Sequence, residues 1–501
     1  MSAKQEEHTF LKNILKVATG GIVAQALVLL TMPFIARLFP PEAFGVAGLF
    51  FSITMFFFPL SGLGYYFAIV TAKNKEDAIN LLLLDVIIVF LLSCLLMIPV
   101  AFFRRQISVM ANMPALAHYL WFAPFLVALH GTVEALTSWN VRKKGFSRNA
   151  KARICLVGSD KSFVLSAGAL GYNLPGGVIF GRIFGYFLSM LYLGFTFYLQ
   201  FSKNMLRAIS WQKIRQLGSE YKKFPLFSTP ALLLNRIGTE SPVLFLSFFF
   251  FPNVVGYYAM AARIARVPMN ILGDALTRVF FQKAAESRLN LQENSEMFFR
   301  YLLRYSLVPV MALGVVAPGL FSVLFGKNWQ DAGIFMQAII PNFFFTFLSR
   351  PISALYYVTG KQGIQFFFEI LSLLVGGLAL YLGCRLESPI CALIFFALSS
   401  SSVKCYKVVW ILKLTGIPYR RSLSIFFRAI VVLIPFAVIL VSLKYLLTDN
   451  PIWLLSISFV SVTIYFLLVI SRDKSALSFI ESRFPWVWRL KKNTMAGFER
   501  D

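Results

Sequence analysis

The residues of this chain best suited to binding chemistry are basic and polar side chains inside apolar stretches. One stretch, residues 253–281, carries five of them: Arg263, Arg266, Asn270, Asp274 and Arg278. At about 100° per residue, they fall within roughly 120° on one face of a helix. Each charge costs about 2.5–3.5 kcal/mol at the centre of a bilayer. We therefore expect this face to line a polar cavity. Arg263 and Arg266 would bind an anion there, while Asp274 pairs with Arg278.

The preceding stretch, residues 224–250, combines charges with helix-breaking prolines. Arg236 and Glu240 are spaced i, i+4 and can pair along the helix. Pro225, Pro230 and Pro242 leave backbone groups unpaired, which is tolerated beside a cavity or another helix. This pattern is typical of a moving gate, and a fixed kink with an internal salt bridge is the alternative. Interfacial snorkelling is the corresponding alternative for Arg278.

Other apolar stretches contribute single charged residues. Arg182 begins the polar side of one stretch, and Arg350 shares a face with Asn342, Thr346 and Ser349. We expect both arginines to make the central cavity cationic. The acids in these stretches have two open roles, carrying protons or sodium ions and balancing arginines. They are Asp274, Glu240, Glu134 and Asp160.

Isolated charges also have a simpler interpretation, as contacts that hold helices together. Glu134 lies one helical turn from His130, Asp160 is next to Lys161, and Asp85 is a lone acid in apolar surroundings. Polar contacts between helices explain any one of these residues without a role in transport.

Motifs for catalysis, metals and nucleotides are missing from the sequence. Its three histidines form no HExxH pattern, and there is no GxxxxGK[ST] loop for ATP. The five cysteines form no CxxC pair, so we interpret them as buried apolar residues. We expect a protein that is not an enzyme and that uses no cofactor and no metal.

The elements that position these residues must be membrane-spanning helices. The chain has 501 residues, is 58% hydrophobic and has a mean hydropathy of +0.71. A soluble protein this apolar could not cover its surface with polar atoms. We predict an all-α integral membrane protein with about 14 transmembrane helices. The predicted spans are 14–37, 43–70, 77–103, 115–140, 146–171, 176–201, 224–250, 253–281, 298–325, 331–358, 362–384, 388–413, 424–447 and 451–471.

The positive charges support this topology. The net charge is +26, a value that often indicates nucleic-acid binding, but here the charges lie between apolar runs and form no patch for a nucleic acid. With the N-terminus in the cytoplasm, 35 of the 48 Lys and Arg residues fall in inside segments. Both termini are therefore expected in the cytoplasm, with the basic, aromatic tail 472–501 contacting membrane lipids.

A short motif suggests an internal repeat. Pro41 precedes Gly45 by four residues between the first two spans, and Pro252 precedes Gly256 likewise between the seventh and eighth. Equal orientation of the two copies predicts two six-helix lobes around a central cavity, related by an axis along the membrane normal. The lobes would be residues 1–201 and 224–414. A cytoplasmic connector, 202–223, would join them, and two further helices, 415–471, would precede the tail.

Two long segments carry a family resemblance. They are KVATGGIVAQALVLLTMPFIARLFPPEAFGVAGLFFSI and KKFPLFSTPALLLNRIGTESPVLFLSFFFFPNVVGYYAMAARIARVPMNILGDALTRVFFQKAAE. Both resemble Wzx-type oligosaccharide flippases of the multidrug/oligosaccharidyl-lipid/polysaccharide exporter superfamily, over most of residues 12–470. The resemblance implies two six-helix lobes in a V, in the bacterial inner membrane.

That resemblance also implies a substrate and partners. The substrate would be a short glycan on undecaprenyl diphosphate, flipped from the cytoplasmic to the periplasmic leaflet, with polysaccharide polymerase machinery as a partner. The intramembrane arginines agree with a diphosphate cargo, since guanidinium binds phosphate in a bidentate manner. A peptidoglycan-precursor flippase and a cation-coupled multidrug exporter are the alternatives in the superfamily. A membrane glycan polymerase or ligase is the alternative outside it.

Overall fold

The structure is a computed structural model that describes residues 3–201, 203–269, 290–446 and 451–471, with single positions at 273, 276, 277, 280 and 284. Its regular elements are all helical. The long helices are α1 (Ala3–Leu38), α2 (Pro41–Ser61), α3 (Lys75–Met110), α4 (Ala123–Arg142), α5 (Phe146–Ala169), α6 (Pro175–Tyr198), α7 (Thr229–Phe249), α8 (Pro252–Pro268), α9 (Leu291–Phe325), α10 (Gln330–Ile352), α11 (Gln362–Cys384), α12 (Pro389–Leu414), α13 (Tyr419–Leu446) and α14 (Pro451–Ser471).

The all-α membrane fold predicted from composition is confirmed. Within the described residues, ten helical segments are long and apolar enough to cross a membrane. Each predicted span overlaps one long helix, but the number of crossings stays a prediction. Helices α5 and α7 are long enough to span and yet are less apolar than these ten. Their charged residues, and not their length, exclude them from the ten apolar segments. These residues include Asp160, Lys161, Arg236 and Glu240.

Helix starts follow the chemistry of their first residues. Pro41, Pro175, Pro252 and Pro389 each occupy the first turn of a helix, where the missing N–H has no helical partner to lose. At the start of α3, the side chain of Asn74 instead accepts a hydrogen bond of 2.7 Å from the backbone N–H of Asp77. These four prolines therefore mark helix starts, whereas others, such as Pro59 and Pro99, lie inside helices.

The two copies of the repeat motif meet where α2 crosses α8. A Cβ atom on Gly45 would lie 1.8 Å from the carbonyl oxygen of Pro252, and one on Gly256 would lie 2.0 Å from that of Pro41. Only glycine permits this approach of two backbones. The contacts are reciprocal, as a local twofold relation between the motifs requires.

The helix ends around this crossing share one hydrophobic core. It combines residues of α1–α6 (the N-terminal set) with residues of α7–α12 (the C-terminal set). Phe44 packs edge-on against Trp329 at 5.1 Å, and the Trp329 indole N–H donates to the carbonyl of Ala36 at 2.7 Å. Arg37 donates to the carbonyl of Val323 at 3.0 Å. These contacts join the two sets at the end predicted to face outwards.

At the opposite end the two sets have separate cores. One is built around Tyr65, Ile69, Leu82 and Trp139 of the N-terminal set. The other includes Leu348 and many residues of α9, α10 and α12 in the C-terminal set. The described residues thus form one core that both sets share at the crossing and separate cores at the opposite end.

The predicted connector contains two short helices, Lys203–Arg207 and Trp211–Glu220. The second buries Ile214 and Leu217 against the N-terminal set. Lys213 Nζ lies 2.7 Å from Glu76 Oε2, and this contact raises the pKa of the Lys213 ammonium group above its usual value. The connector is thus docked against the start of α3.

The glycine crossing makes a direct prediction for stability. Gly256→Ala would place a methyl group against the Pro41 carbonyl, so α2 and α8 must separate. We expect a loss of about 1–3 kcal/mol, typical of overpacking, measured by thermal unfolding of the purified protein in detergent. Gly194→Ala in α6 is the matched control, because its new methyl group has no neighbour within 4 Å. Equal unfolding temperatures for the two variants would contradict the close crossing.

Candidate functional site

The deepest charged cluster of the described residues is centred on Asp160 of α5. Lys161 Nζ lies 2.9 Å from Asp160 Oδ2, and Arg182 Nε lies 3.4 Å from the same atom. Asp160 is only 2% exposed and Lys161 only 5%. The predicted alternative for Asp160, pairing with basic residues, is thus what the structure shows.

Glycines let α6 bring Arg182 to this carboxylate. A Cβ atom on Gly185 would lie 2.5 Å from the carbonyl oxygen of Leu156, and one on Gly181 would lie 3.0 Å from that of Asp160. These small residues allow α5 and α6 to pack closely. The Arg182 guanidinium also lies 5.4 Å from the centre of the Phe51 ring of α2. It therefore faces the helix that crosses the C-terminal set.

Arg263 and Arg266 approach the same cluster from α8, on the C-terminal set. Arg263 is half-buried and within electrostatic range of both Asp160 and Arg182, and Arg266 is near Arg263. No described carboxylate lies within 4 Å of either arginine. Lys161 and Arg182 thus contact Asp160 directly, Arg263 acts on it from the other helix set, and Arg266 lies near Arg263. The sequence placed Arg263 and Arg266 on one helix face and Arg182 in a different helix, and the structure brings Arg182 and Arg263 within electrostatic range of each other.

The predicted ion pair between Arg236 and Glu240 is wrong. Glu240 is buried and accepts a hydrogen bond of 2.7 Å from the Ser52 hydroxyl of α2. Arg236 is half-buried and lies within electrostatic range of Glu134 and His130 on α4. The i, i+4 spacing favoured a pair within α7. Instead, Glu240 binds α2 and Arg236 lies near α4, and both of those helices belong to the N-terminal set.

The polar face of α10 is divided between two environments. Asn342 and Thr346 both accept hydrogen bonds from the Lys404 ammonium of α12, the second at 2.8 Å. Arg350 is exposed, and its Cδ lies 3.9 Å from the position of a Cβ atom on Gly273. The structure therefore does not bring Arg350 into the cluster around Asp160.

The site residues predicted from the sequence do not include two lysines inside α12, the half-buried Lys404 and the buried Lys407. Lys407 is 7% exposed, and its Nζ lies 2.6 Å from Glu369 Oε1 of α11. Their position inside the predicted span 388–413 was the signal that could have identified them. Of the other predicted site residues, Asn270, Asp274 and Arg278 lie outside the described residues.

Comparison with known proteins places this arrangement in a family. Residues 34–334, more than half of the chain, match the family model described as polysaccharide biosynthesis protein. The chain belongs to the polysaccharide biosynthesis protein family. The predicted resemblance to polysaccharide flippases is thus confirmed at the level of the family.

Two curated proteins share this similarity. The succinoglycan biosynthesis transport protein ExoT of Rhizobium meliloti is 22% identical over 315 residues, which cover 60% of each chain. The teichuronic acid biosynthesis protein TuaB of Bacillus subtilis is 22% identical over 165 residues, 32% of this chain and 34% of its own. The matches therefore span less than two thirds of either relative. Together with the family, they agree with a transporter and not an enzyme.

Solved structures share the fold. The lipid II flippase MurJ in an inward closed conformation has a TM-score of 0.69 at 14% identity, over 91% of this chain and 99% of its own. An inward-facing MATE family multidrug transporter of the MOP superfamily has a TM-score of 0.62 at 16% identity, over 80% and 98%. At these identities the likeness concerns the fold of a multi-pass membrane protein.

The cluster at Asp160 makes a prediction for stability. Asp160→Asn would remove the carboxylate and leave Lys161 and Arg182 buried without a counter-charge. Breaking a buried pair in this way costs about 3–5 kcal/mol, to be measured as a lower unfolding temperature in detergent. The control is Glu76→Gln, which removes an exposed ion pair with Lys213 and should change little. An Asp160→Asn variant as stable as the control would show that solvent already screens the cluster.

Proposed function

We propose that this chain is a flippase that moves oligosaccharide repeat units linked to undecaprenyl diphosphate from the cytoplasmic to the periplasmic leaflet. The observation that carries the proposal is the excess of cations around Asp160, contributed by both helix sets. Lys161, Arg182, Arg263 and Arg266 together outnumber the single carboxylate. A site with this charge favours an anionic cargo over a cationic drug.

The chemistry of the cargo explains the need for such a site. A diphosphate cannot cross hydrocarbon unaided, since burying an unpaired charge costs tens of kcal/mol in a Born estimate. Guanidinium groups replace its hydration with charge-assisted hydrogen bonds, and their forked geometry matches phosphate oxygens. We assign the diphosphate contact to Arg182, Arg263 and Arg266, and a further contact with the head group to Arg236. The lipid tail stays in the bilayer while the head group passes between the helix sets.

The proposal extends to the organisation of the chain. Residues 1–201 and 224–414 form two lobes that rock about the connector 202–223, giving alternating access from each side of the bacterial inner membrane. Residues 415–471 add two peripheral helices, and both termini are cytoplasmic, the predicted tail 472–501 lying outside the described residues. A polysaccharide polymerase on the periplasmic side is the expected consumer of the flipped product.

Deletion of the gene tests the proposed activity. We expect loss of the surface polysaccharide and accumulation of lipid-linked oligosaccharide on the cytoplasmic leaflet, because the polar head group cannot cross unaided. The two pools are measured by extraction of the lipids after labelling of the outer leaflet, with the complemented strain as control. Normal polysaccharide with altered drug resistance would instead indicate a drug exporter. Normal flipping with altered glycan length would indicate a polymerase.

The cationic site is tested by substitution at normal expression. Arg263→Ala should lower the rate of flipping at least tenfold, since a hydrogen bond to a charged group contributes about 1.5–3 kcal/mol. Arg263→Lys should retain part of the rate of flipping, because lysine keeps the positive charge but lacks the forked guanidinium group. The matched control is Arg385→Ala, an exposed arginine just after α11. An Arg263→Ala variant as active as that control would remove the basis for our site.

A further inference from the structure

Asp85 of α3 is a buried acid that the proposed anion site does not use. Its exposed fraction is 0%, and neither carboxylate oxygen has a hydrogen-bond partner. It lies ten residues from Lys75, at the start of α3, and therefore about 15 Å along the helix axis. An ionised carboxylate in such a place would cost many kcal/mol, so the group favours its neutral, protonated form.

The carboxylate faces a break in the neighbouring chain. Helix α2 ends at Ser61, and a short helix begins at Tyr65. Between them, Leu63 and Gly64 have φ values of 47° and 74°, in the left-handed region. A Cβ atom on Gly62 would lie 2.4 Å from Asp85 Oδ1, so glycine is required for the carboxylate to lie against the break. Broken helices at membrane depth commonly line ion pathways in transporters.

Four other titratable or charged groups face this region. The backbone of Tyr66, in the short helix, is close to Asp85 but makes no hydrogen bond with it. Glu134 of α4 lies within electrostatic range of Asp85. His130 stacks on Phe58 at 3.7 Å, and its Nδ1 is buried without a partner. Arg236 of α7 acts on Tyr66, His130 and Glu134.

These neighbours balance charge on the two acids to different degrees. Burial penalises the ionised form of both carboxyl groups, and at Glu134 the charges of Arg153 and Arg236 offset part of that cost. No cation acts comparably on Asp85 among the described residues, and a charge on Glu134 would oppose its ionisation. Asp85 therefore holds a proton more firmly than Glu134, and a difference of this kind separates acid and base roles.

We propose that Asp85 is a proton-binding site whose occupancy is linked, through Glu134, to anion binding at Arg236. The step is a simple exchange: the carboxyl O–H bond of Asp85 breaks, the proton passes to water or to Glu134, and a carboxylate remains. When an anionic head group binds Arg236, Glu134 loses a counter-charge. The pair formed by Glu134 and Asp85 then takes up a proton. By reciprocity, proton uptake strengthens anion binding. This coupling rests on the proposed flippase function, whereas the proton site itself does not.

The proton site is tested on the full-length protein in lipid nanodiscs, without substrate. Infrared difference spectra at neutral pH should contain the carbonyl stretching band of a protonated carboxyl group, and Asp85→Asn should remove it. Asp77→Asn, on the first turn of the same helix, is the matched control and should leave the band in place. Gly62→Ala should shift the band, because its methyl group displaces Oδ1. A band absent from the wild type, or retained in Asp85→Asn, would overturn the proposal.

Stability against pH provides an independent measurement. Unfolding exposes Asp85 to water, where a free aspartate ionises near pH ~4. Unfolding above that pH therefore releases a proton, and the folded state loses stability as the pH rises. One proton changes the folded-to-unfolded ratio about tenfold per pH unit. We expect this slope to be lost in Asp85→Asn and kept in Asp77→Asn. NaCl that stabilises the wild type more than choline chloride does, with this difference lost in Asp85→Asn, would show that the site binds sodium and not a proton.

The coupling is tested by flipping in vesicles with and without a pH gradient. We expect the gradient to change the rate several-fold in the wild type and not in Asp85→Asn. If the infrared band is present while flipping is absent in both proteins, the proposed function fails and the proton site stands. If both proteins flip and respond equally to the gradient, the coupling fails and the flippase stands.

Discussion

The cost of placing a charge in lipid is the constraint on which the rest of this structure depends. Helix α5 carries the buried Asp160–Lys161 pair and α7 carries Arg236 and Glu240, and neither helix is among the ten described segments that are apolar enough to cross a membrane. The chain resolves this conflict by turning charged faces towards other helices. Charged groups at membrane depth thereby become concentrated where the two helix sets meet.

Close backbone contact at one end makes that concentration possible. Gly45 and Gly256 allow α2 and α8 to touch, and Trp329 closes the same end through its contacts with Phe44 and Ala36. Among the described residues, the large core that joins both sets lies at this end, and the cores at the other end belong mainly to one set each. Side chains at the middle of α2, α5 and α8 then lie between the end where the two sets share a core and the end where their cores are separate.

Three polar groups of different character occupy this middle zone. The Asp160 cluster carries excess positive charge, Glu240 and Ser52 form a hydrogen bond between the sets, and Lys404 donates hydrogen bonds to the amide oxygen of Asn342 and the hydroxyl oxygen of Thr346. Only the first presents cations without matching acids among the described residues. Its position at the junction of the two sets distinguishes it from the internal contacts of either set.

Much of this protein could be predicted from its sequence. Hydropathy and the placement of prolines determined the all-α membrane fold and the approximate helix boundaries, because lipid accepts few other backbones. The charge of the apolar stretches determined that polar groups lie at membrane depth, and the two-residue pattern of Pro41 and Gly45 found its structural counterpart in Pro252 and Gly256. These features are local, so they can be seen in a single stretch of chain.

Which charges meet was decided only by the tertiary structure. Helical spacing predicted an Arg236–Glu240 pair, but Glu240 binds Ser52, a residue 188 positions away in the chain. Likewise, Arg182 and Arg263 converge near Asp160 from different helix sets, and Asp85 lies against a break that the sequence did not indicate. Periodicity fixes the face of a helix on which a residue lies, whereas its partner depends on which helix packs there, and that choice belongs to the whole fold.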